Sequence, residues 1–176
     1  MTTYVLAGGC FWCLDGVYRR IKGVNDVTSG YSGGNGLSPS YERVSSGQTE
    51  HAESVKVTFD ETIIPIDVIL DLFFLIHDPT TLNRQGADVG TQYRSAMFYT
   101  DDTQKNDFDA AIKRAQNNWP DPIVTQLVPL ARFYCAEDEH QDYFNKNPDS
   151  GYCSIVITPK IIKARAAYSN WFQKEA

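Results

Sequence analysis

A chain of 176 residues that is 42% hydrophobic, 12% aromatic and 22% charged has the size and make-up of one globular domain, which excludes a disordered or fibrous polypeptide. Its net charge of −6 comes without clustered Lys or Arg, which argues against a protein that neutralises nucleic-acid phosphates. No apolar run approaches membrane-spanning length, and Met1–Leu6 lacks the basic and apolar regions of a secretory leader, so the expectation is a cytoplasmic protein that engages neither membrane nor nucleic acid, monomeric by default.

In chain order, the apolar run Thr3–Ala7 meets Gly8-Gly9 and then Cys10-Phe11-Trp12-Cys13, a pattern that predicts a strand, a turn and a helix through Ile21. Val24–Thr28 reads as a second strand and Gly30–Gly36 as a loop. Val55, Val57 and Phe59 alternate with Ser54, Lys56 and Thr58, the clearest strand in the chain. Ile69, Leu72, Phe73 and Ile76 fall at helical spacing within 66–76, whereas 78–95 is polar and without period, a length of loop that usually carries function. Beyond it the expected elements are a strand over Ala96–Tyr99, a helix over Thr103–Asn117 capped by its threonine, a broken strand over Ile123–Leu130, a short helix over Glu137–Lys146 and a terminal helix over Ile161–Lys174. This loose alternation of strands and helices predicts a two-layer α/β (α+β) arrangement, with residues 1–176 forming a single domain.

The cysteines are Cys10, Cys13, Cys135 and Cys153, and in a reducing compartment such residues more often serve chemistry or metal binding than crosslinking. A cysteine directly after a Gly-Gly turn, where a helix begins, faces unpaired N–H groups and the positive end of the helix dipole, and both favour a thiolate. If 10–13 are helical, Cys13 lies roughly 5 Å from Cys10 between Cα atoms, close enough to trap an oxidised Cys10 in a disulfide. The same pair also fits two small buried residues or half of a zinc site, although Cys135, His140 and Cys153 offer no second close pair of metal ligands.

Glu53 shares the strand parity of Val55, Val57 and Phe59. If the strand reaches back to it, the carboxyl points into the core, where burial keeps it protonated and suits it to a general acid; if the strand begins later, Glu53 is solvated. His51 has the same parity and is a second acid–base candidate. Tyr41, Asp88, Gln92, Tyr93 and Arg94 supply polar groups, and Phe11 and Trp12 an apolar wall beside Cys10.

Taken in order, Gly8-Gly9-Cys10-Phe11-Trp12, Gly30-Tyr31-Ser32-Gly33-Gly34, His51-Ala52-Glu53, His77-Asp78-Pro79-Thr80-Thr81, Arg84-Gln85-Gly86, Asp88 and Gly90–Ser95 resemble the peptide methionine sulfoxide reductase A family, and the resemblance runs to Gly151-Tyr152-Cys153. It implies a ferredoxin-like central mixed sheet flanked by helices. It implies that Cys10 attacks the sulfoxide sulfur, that Glu53 protonates the oxygen with help from Tyr41 and Tyr93, that Asp88 supports the polar pocket, and that Phe11 and Trp12 hold the substrate methyl group. The implied substrate is the S epimer of methionine sulfoxide, free or in proteins, reduced at the cost of a sulfenic acid on Cys10 that a second thiol converts to a disulfide. Thioredoxin is the implied reductant, and no metal or organic cofactor is implied.

Both Cys13 and Cys153 are available to resolve the sulfenic acid; Cys153, beside Gly151 in a segment expected to be flexible, is the first choice. Cys135 stands where the family commonly has proline and is expected to be nonessential. Glu139 replaces a common aromatic residue, and Glu50 replaces a glycine just before His51-Ala52-Glu53, where it either perturbs Glu53 or lies in solvent. Two rival functions use fewer of these residues: a thiol–disulfide oxidoreductase needs only Cys10 and Cys13, and a zinc-stabilised binding module needs only metal ligands.

Overall fold

The computed structural model describes residues 1–36 and 38–174. Strand β1 (Thr2–Gly8), helix α1 (Phe11–Tyr18), strands β2 (Val24–Ser32) and β3 (Ala52–Phe59), helix α3 (Ile66–Leu75) and strand β6 (Ser95–Tyr99) follow one another along the chain. Between them lie the short helix α2 (Tyr41–Ser45) and the hairpin strands β4 (Arg84–Gln85) and β5 (Asp88–Val89); helix α4 (Asp102–Gln116), strands β7 (Gln126–Pro129) and β8 (Phe133–Cys135), and helices α5 (Tyr143–Lys146) and α6 (Thr158–Ala167) complete the order. The main sheet is ordered β7-β6-β1-β3-β2-β8. Its inner strands β6-β1-β3-β2 pair antiparallel throughout, which with crossovers through α1 and α3 is the ferredoxin-like β-α-β-β-α-β pattern expected from the sequence. β7 adds a parallel edge beside β6 and β8 an antiparallel edge beside β2.

Strand parity sorts the side chains. Tyr4 and Leu6 of β1 and Val55, Val57 and Phe59 of β3 point to the helical side, where they meet Leu14 and Val17 of α1, Ile69, Leu72 and Phe73 of α3, and Phe108 of α4 in the principal core. The alternate residues Val5, Ala7, Ala52, Ala96 and Phe98 form a smaller cluster on the other face. β3 does begin early enough to include Glu53, so the parity argument holds and the carboxyl enters the core side, 1% exposed.

Several expected boundaries move, each for a local reason. β2 continues through Gly30-Tyr31-Ser32, read as loop, because β8 docks along its outer edge. A Cβ on Gly30 would lie 2.3 Å from both the Phe133 ring and the Tyr134 carbonyl oxygen, so only glycine admits this close pairing. Helix α4 is capped not by Thr103 but by Asp101, whose carboxylate accepts the Gln104 N–H at 2.8 Å. The expected helix over Glu137–Lys146 is a 3₁₀ turn at Asp138–His140 and then α5, interrupted at Asp142, whose φ of 53° leaves its N–H donating to the buried Asp15 carboxylate at 2.8 Å. The segment around Cys153 is not a loose loop: Cys153–Ile157 wind as a wide π-type turn into α6, with Cys153 and Ile157 buried. Gly16 of α1 makes room for Ile157 there, since a Cβ would sit 3.3 Å from its Cγ2. α6 stops at Ala167, short of the expected Lys174, and the tail returns to the start of the chain through Trp171 O to Lys22 N–H (2.7 Å) and Gln173 N–H to Arg20 O (2.8 Å).

The region 78–95 is built from side-chain bonds to backbone instead of helix or long strand. Gln85 accepts from the Asp78 N–H (2.9 Å) and donates to the Asp78 carbonyl (3.0 Å); Arg94 donates to the Thr91 and Gly33 carbonyls. That pinned Gln85 side chain presses on the turn before Cys10. Gly9 has φ +91°, and a Cβ there would lie 2.6 Å from Gln85 Cγ. Gly9→Ala is therefore expected to cost about 1–3 kcal/mol in urea unfolding and to displace the residue that follows; unchanged stability and unchanged Cys10 reactivity would refute the account.

Candidate active site

Cys10 occupies the position just before the first turn of α1, in extended conformation with φ −60° and ψ 125°. The β1 strand ends two residues earlier, and the β1–β3 register, Leu6 opposite Val55, carries Glu53 alongside that end. The geometry closes through the helix itself: the Phe11 N–H donates to Glu53 Oε1 at 3.1 Å, so one free N–H of the α1 terminus binds the acid. The Cys10 sulfur receives the Trp12 N–H and is hydrogen-bonded to the Cys13 thiol, and Glu53 reaches the same sulfur.

Burial governs the proton affinities. Desolvation, partly offset by the Phe11 N–H and reinforced by the Asp88 and Cys13 charges, pushes the Glu53 carboxyl up to about 8. Burial first, then donation to Cys13 and the nearby Glu53 charge, pushes the Cys10 thiol up as well. The hydrogen bond from Cys10 holds Cys13 down to about 7. At neutral pH both groups therefore keep their protons, burial outweighing the thiolate-favouring helix start, and a nucleophile paired with a proton donor forms when the Cys10 proton leaves while Glu53 keeps its own.

Three tyrosine hydroxyls surround the pair. Burial, then the Glu53 charge, raises Tyr41 to about 12 and Tyr93 higher still. Tyr152 is raised by burial and by the two thiols, and it donates to Asp88 Oδ2 at 2.8 Å while hydrogen-bonding Cys10 and Cys13. All three stay protonated donors at neutral pH. Asp88 thus acts through Tyr152, a residue that sequence reasoning missed although it directly precedes Cys153. On the apolar side Phe11 is wholly buried among Tyr31, Tyr41 and His140. Trp12 is half-buried and lies flat on Tyr143, ring centroids 3.6 Å apart and 5° from parallel.

Cys10, Cys13, Glu53, Tyr41, Tyr93, Asp88, Phe11 and Trp12 therefore converge. Other candidates serve elsewhere. His51 accepts the Gly34 N–H through Nδ1 at 2.9 Å and packs edge-on to Tyr134, which fixes the loop after β2. Glu50 lies exposed in a turn with φ 55°. Cys153 is buried in the Cys153–Ile157 turn, and Cys135 is exposed on the edge strand β8. His140, Tyr143 and Glu137 also border the site; no spacing rule marks them, because they arrive from a segment more than 120 residues beyond Cys10, as the Trp12–His140 separation of 128 shows.

Known proteins resemble this chain in sequence and fold. The family model described as peptide methionine sulfoxide reductase matches residues 2–173. A peptide methionine sulfoxide reductase MsrA of Pseudarthrobacter chlorophenolicus is 60% identical over 171 residues, 97% of this chain and 98% of that protein. Reduced Mxr1 from Saccharomyces cerevisiae superposes with a TM-score of 0.79 at 39% identity, covering 86% of this chain and 88% of that one. The same yeast protein in complex with Trx2 gives 0.56 at 27% identity, over 81% and 84% of the two chains. With the match running from β1 to the tail beyond α6, the chain belongs to the peptide methionine sulfoxide reductase family.

Proposed function

We propose that Cys10 is the nucleophile and Glu53 the general acid of methionine sulfoxide reduction in this chain. The observation that carries the assignment is the buried Glu53 carboxyl, pushed up to about 8, bonded to the N-terminus of the helix that Cys10 opens. Thiol–disulfide exchange has no departing oxygen to protonate and does not require such an acid. The Cys10 thiolate attacks the sulfoxide sulfur while the Glu53 proton moves to the oxygen, with the Tyr41 and Tyr93 hydroxyls donating to it. The sulfur–oxygen bond of the substrate breaks, methionine leaves with two more electrons, and Cys10 is left as the sulfenic acid. Phe11 and Trp12 form the apolar wall for the substrate methyl.

The sulfenic acid is then attacked by a second thiol, releasing water and forming a disulfide. The existing Cys10–Cys13 hydrogen bond supports Cys13 as the first resolver, ahead of Cys153, which then serves as a later partner once its turn opens. The Trx2 complex of the yeast neighbour supports thioredoxin as the dithiol that restores the enzyme. Substrates are taken as free and protein-bound methionine sulfoxide, turned over by a single-domain monomer in the cytoplasm.

The test is thioredoxin-coupled NADPH oxidation with each sulfoxide epimer, for the parent protein, Cys13→Ser and Cys153→Ser. The S epimer is expected to turn over and the R epimer not. Cys13→Ser is expected to yield about one methionine per chain and then stall, consistent with an unresolved sulfenic acid. Absence of turnover with either epimer in the parent protein would sink the reductase reading; full cycling by Cys13→Ser with stalling by Cys153→Ser would transfer the resolving role to Cys153.

A further inference from the structure

Beside the reaction centre lies a second, open pocket of about 390 Å³ lined by Trp12, Tyr41, Glu139, His140, Tyr143 and Asn147. It shares Trp12 and Tyr41 with the site above, and no step of the reduction uses its other residues. Its floor holds an unsatisfied donor. The Trp12 indole N–H, which can only donate, gives its hydrogen bond to His140 Nδ1 at 3.2 Å, so the imidazole proton sits on Nε2. His140 is 5% exposed, and its Nε2 is the buried side-chain polar atom left without a hydrogen-bond partner among the described residues. Buried polar atoms in this condition are rare and call for a missing partner.

Two carboxylates flank that N–H: Glu139 Oε1 at 3.6 Å and Glu137 Oε2 at 3.9 Å. Glu137 is committed elsewhere, accepting from the Tyr31 hydroxyl and the Tyr41 N–H, whereas Glu139 is 76% exposed at the rim. The walls are aromatic faces: Trp12 flat against Tyr143, and Tyr41 stacked on His140 with centroids 4.3 Å apart. The pocket therefore offers one buried donor for an acceptor oxygen, π faces, and a solvent-side negative charge. A cation is attracted by both of the last two features, and a peptide carbonyl by the first.

We propose that this pocket reads the residue next to methionine sulfoxide in a protein substrate, favouring lysine or arginine, with Glu139 as the specificity-determining charge and His140 Nε2–H holding a peptide carbonyl. The proposal rests on the reductase reading and adds a sequence preference to it. A divalent cation on Glu137, Glu139 and His140 is the competing occupant. It would need the Nε2 lone pair, and moving the proton to Nδ1 would set two donors, the indole N–H and Nδ1–H, against each other.

The experiment uses blocked peptides in which the residue before or after methionine sulfoxide is Lys, Ala or Glu, assayed with the parent protein, Glu139→Gln and Glu139→Lys. The readout is the ratio of kcat/KM for Lys and Glu peptides within each variant, so any general loss of activity cancels. A cation–π contact together with an exposed charge pair predicts a ratio of roughly 5–20 in the parent protein, expressed in KM and shrinking with added salt. The ratio should fall towards that of the aromatic faces alone in Glu139→Gln and fall further or invert in Glu139→Lys. An equal ratio in all three proteins would overturn the proposal while leaving the reductase reading intact, because the Ala peptide would still turn over. Failure of the parent protein to reduce the Ala peptide would instead overturn that reading, and this one with it. Stoichiometric zinc binding by calorimetry, lost in Glu139→Gln and blocking the Lys and Glu peptides equally, would overturn the proposal in favour of a metal site.

Discussion

Cys10→Ser is expected to form no methionine from methionine sulfoxide, not even the first equivalent that a chain lacking only its resolving thiol releases. A hydroxyl is nearly the size of a thiol, so the turn at Gly9 and the bond from Phe11 N–H to Glu53 are expected to survive. The serine, however, is far less acidic and far less nucleophilic than a thiolate at a helix N-terminus, and it has no accessible oxidised state to take the oxygen. The loss should be on the order of 10⁴-fold or more in single-turnover rate. Quench-flow measurement of methionine at enzyme excess checks this; a methionine burst from Cys10→Ser would remove Cys10 from the nucleophile's role and direct attention to Cys13.

Glu53→Gln is expected to lose activity and gain stability. The amide oxygen still accepts the Phe11 N–H, but the side chain has no proton to give to a departing oxygen, which should lower kcat by roughly 10²–10⁴-fold and remove the decline in rate expected of the parent protein as pH rises through about 8. The stability change has the opposite sign. The folded-state value of about 8 lies above the ordinary 4.5, so the folded chain holds a proton that the unfolded chain has released. Stability linked to this group is fully present below pH 4.5 and is lost as pH climbs through 8, at about 1.4 kcal/mol per pH unit in between. Relative to that penalty the neutral glutamine should stabilise the fold by on the order of 3 kcal/mol near pH 7 and have little advantage near pH 4, readable from urea midpoints at the two pH values. Equal midpoints at both would show that Glu53 is not a buried proton carrier.

The two halves of that acid–base pair were unequally visible in the sequence. Cys10 stood out because local rules suffice: two glycines, a helix start and a thiol at its head. Glu53 required the strand to begin at Ala52, and the alternation of Val55, Val57 and Phe59 could only suggest it; the β2–β3 pairing, with Tyr31 opposite Glu53 and Ser32 opposite Ala52, settles the matter. The two-layer α/β arrangement came through the order of strong elements and the ferredoxin-like sheet only through the family resemblance, whereas β8, the α2 turn and the wound segment after Tyr152 did not come through. Their residues have little periodicity of their own and are held by distant partners, such as Gly30 for β8 and Gly16 for Ile157. The same long range hid Tyr152 and His140, since only the folded chain brings them to Cys10 and Trp12.

The return of the tail to the beginning of the chain has a consequence for biosynthesis. The proposed nucleophile, Cys10, is made more than 120 residues before the segments that complete α1: Asp15 binds the Asp142 N–H, Gly16 packs on Ile157, and Arg20 and Lys22 bond to Gln173 and Trp171. A nascent chain can pair β1, β2 and β3 early, but the segments that wall in its thiols, from residue 137 onward, are made only much later. Cys10 is thus made unshielded and gains its enclosure only once those segments emerge, so a chain stalled or clipped before residue 137 would expose a thiol pair without the walls of its site.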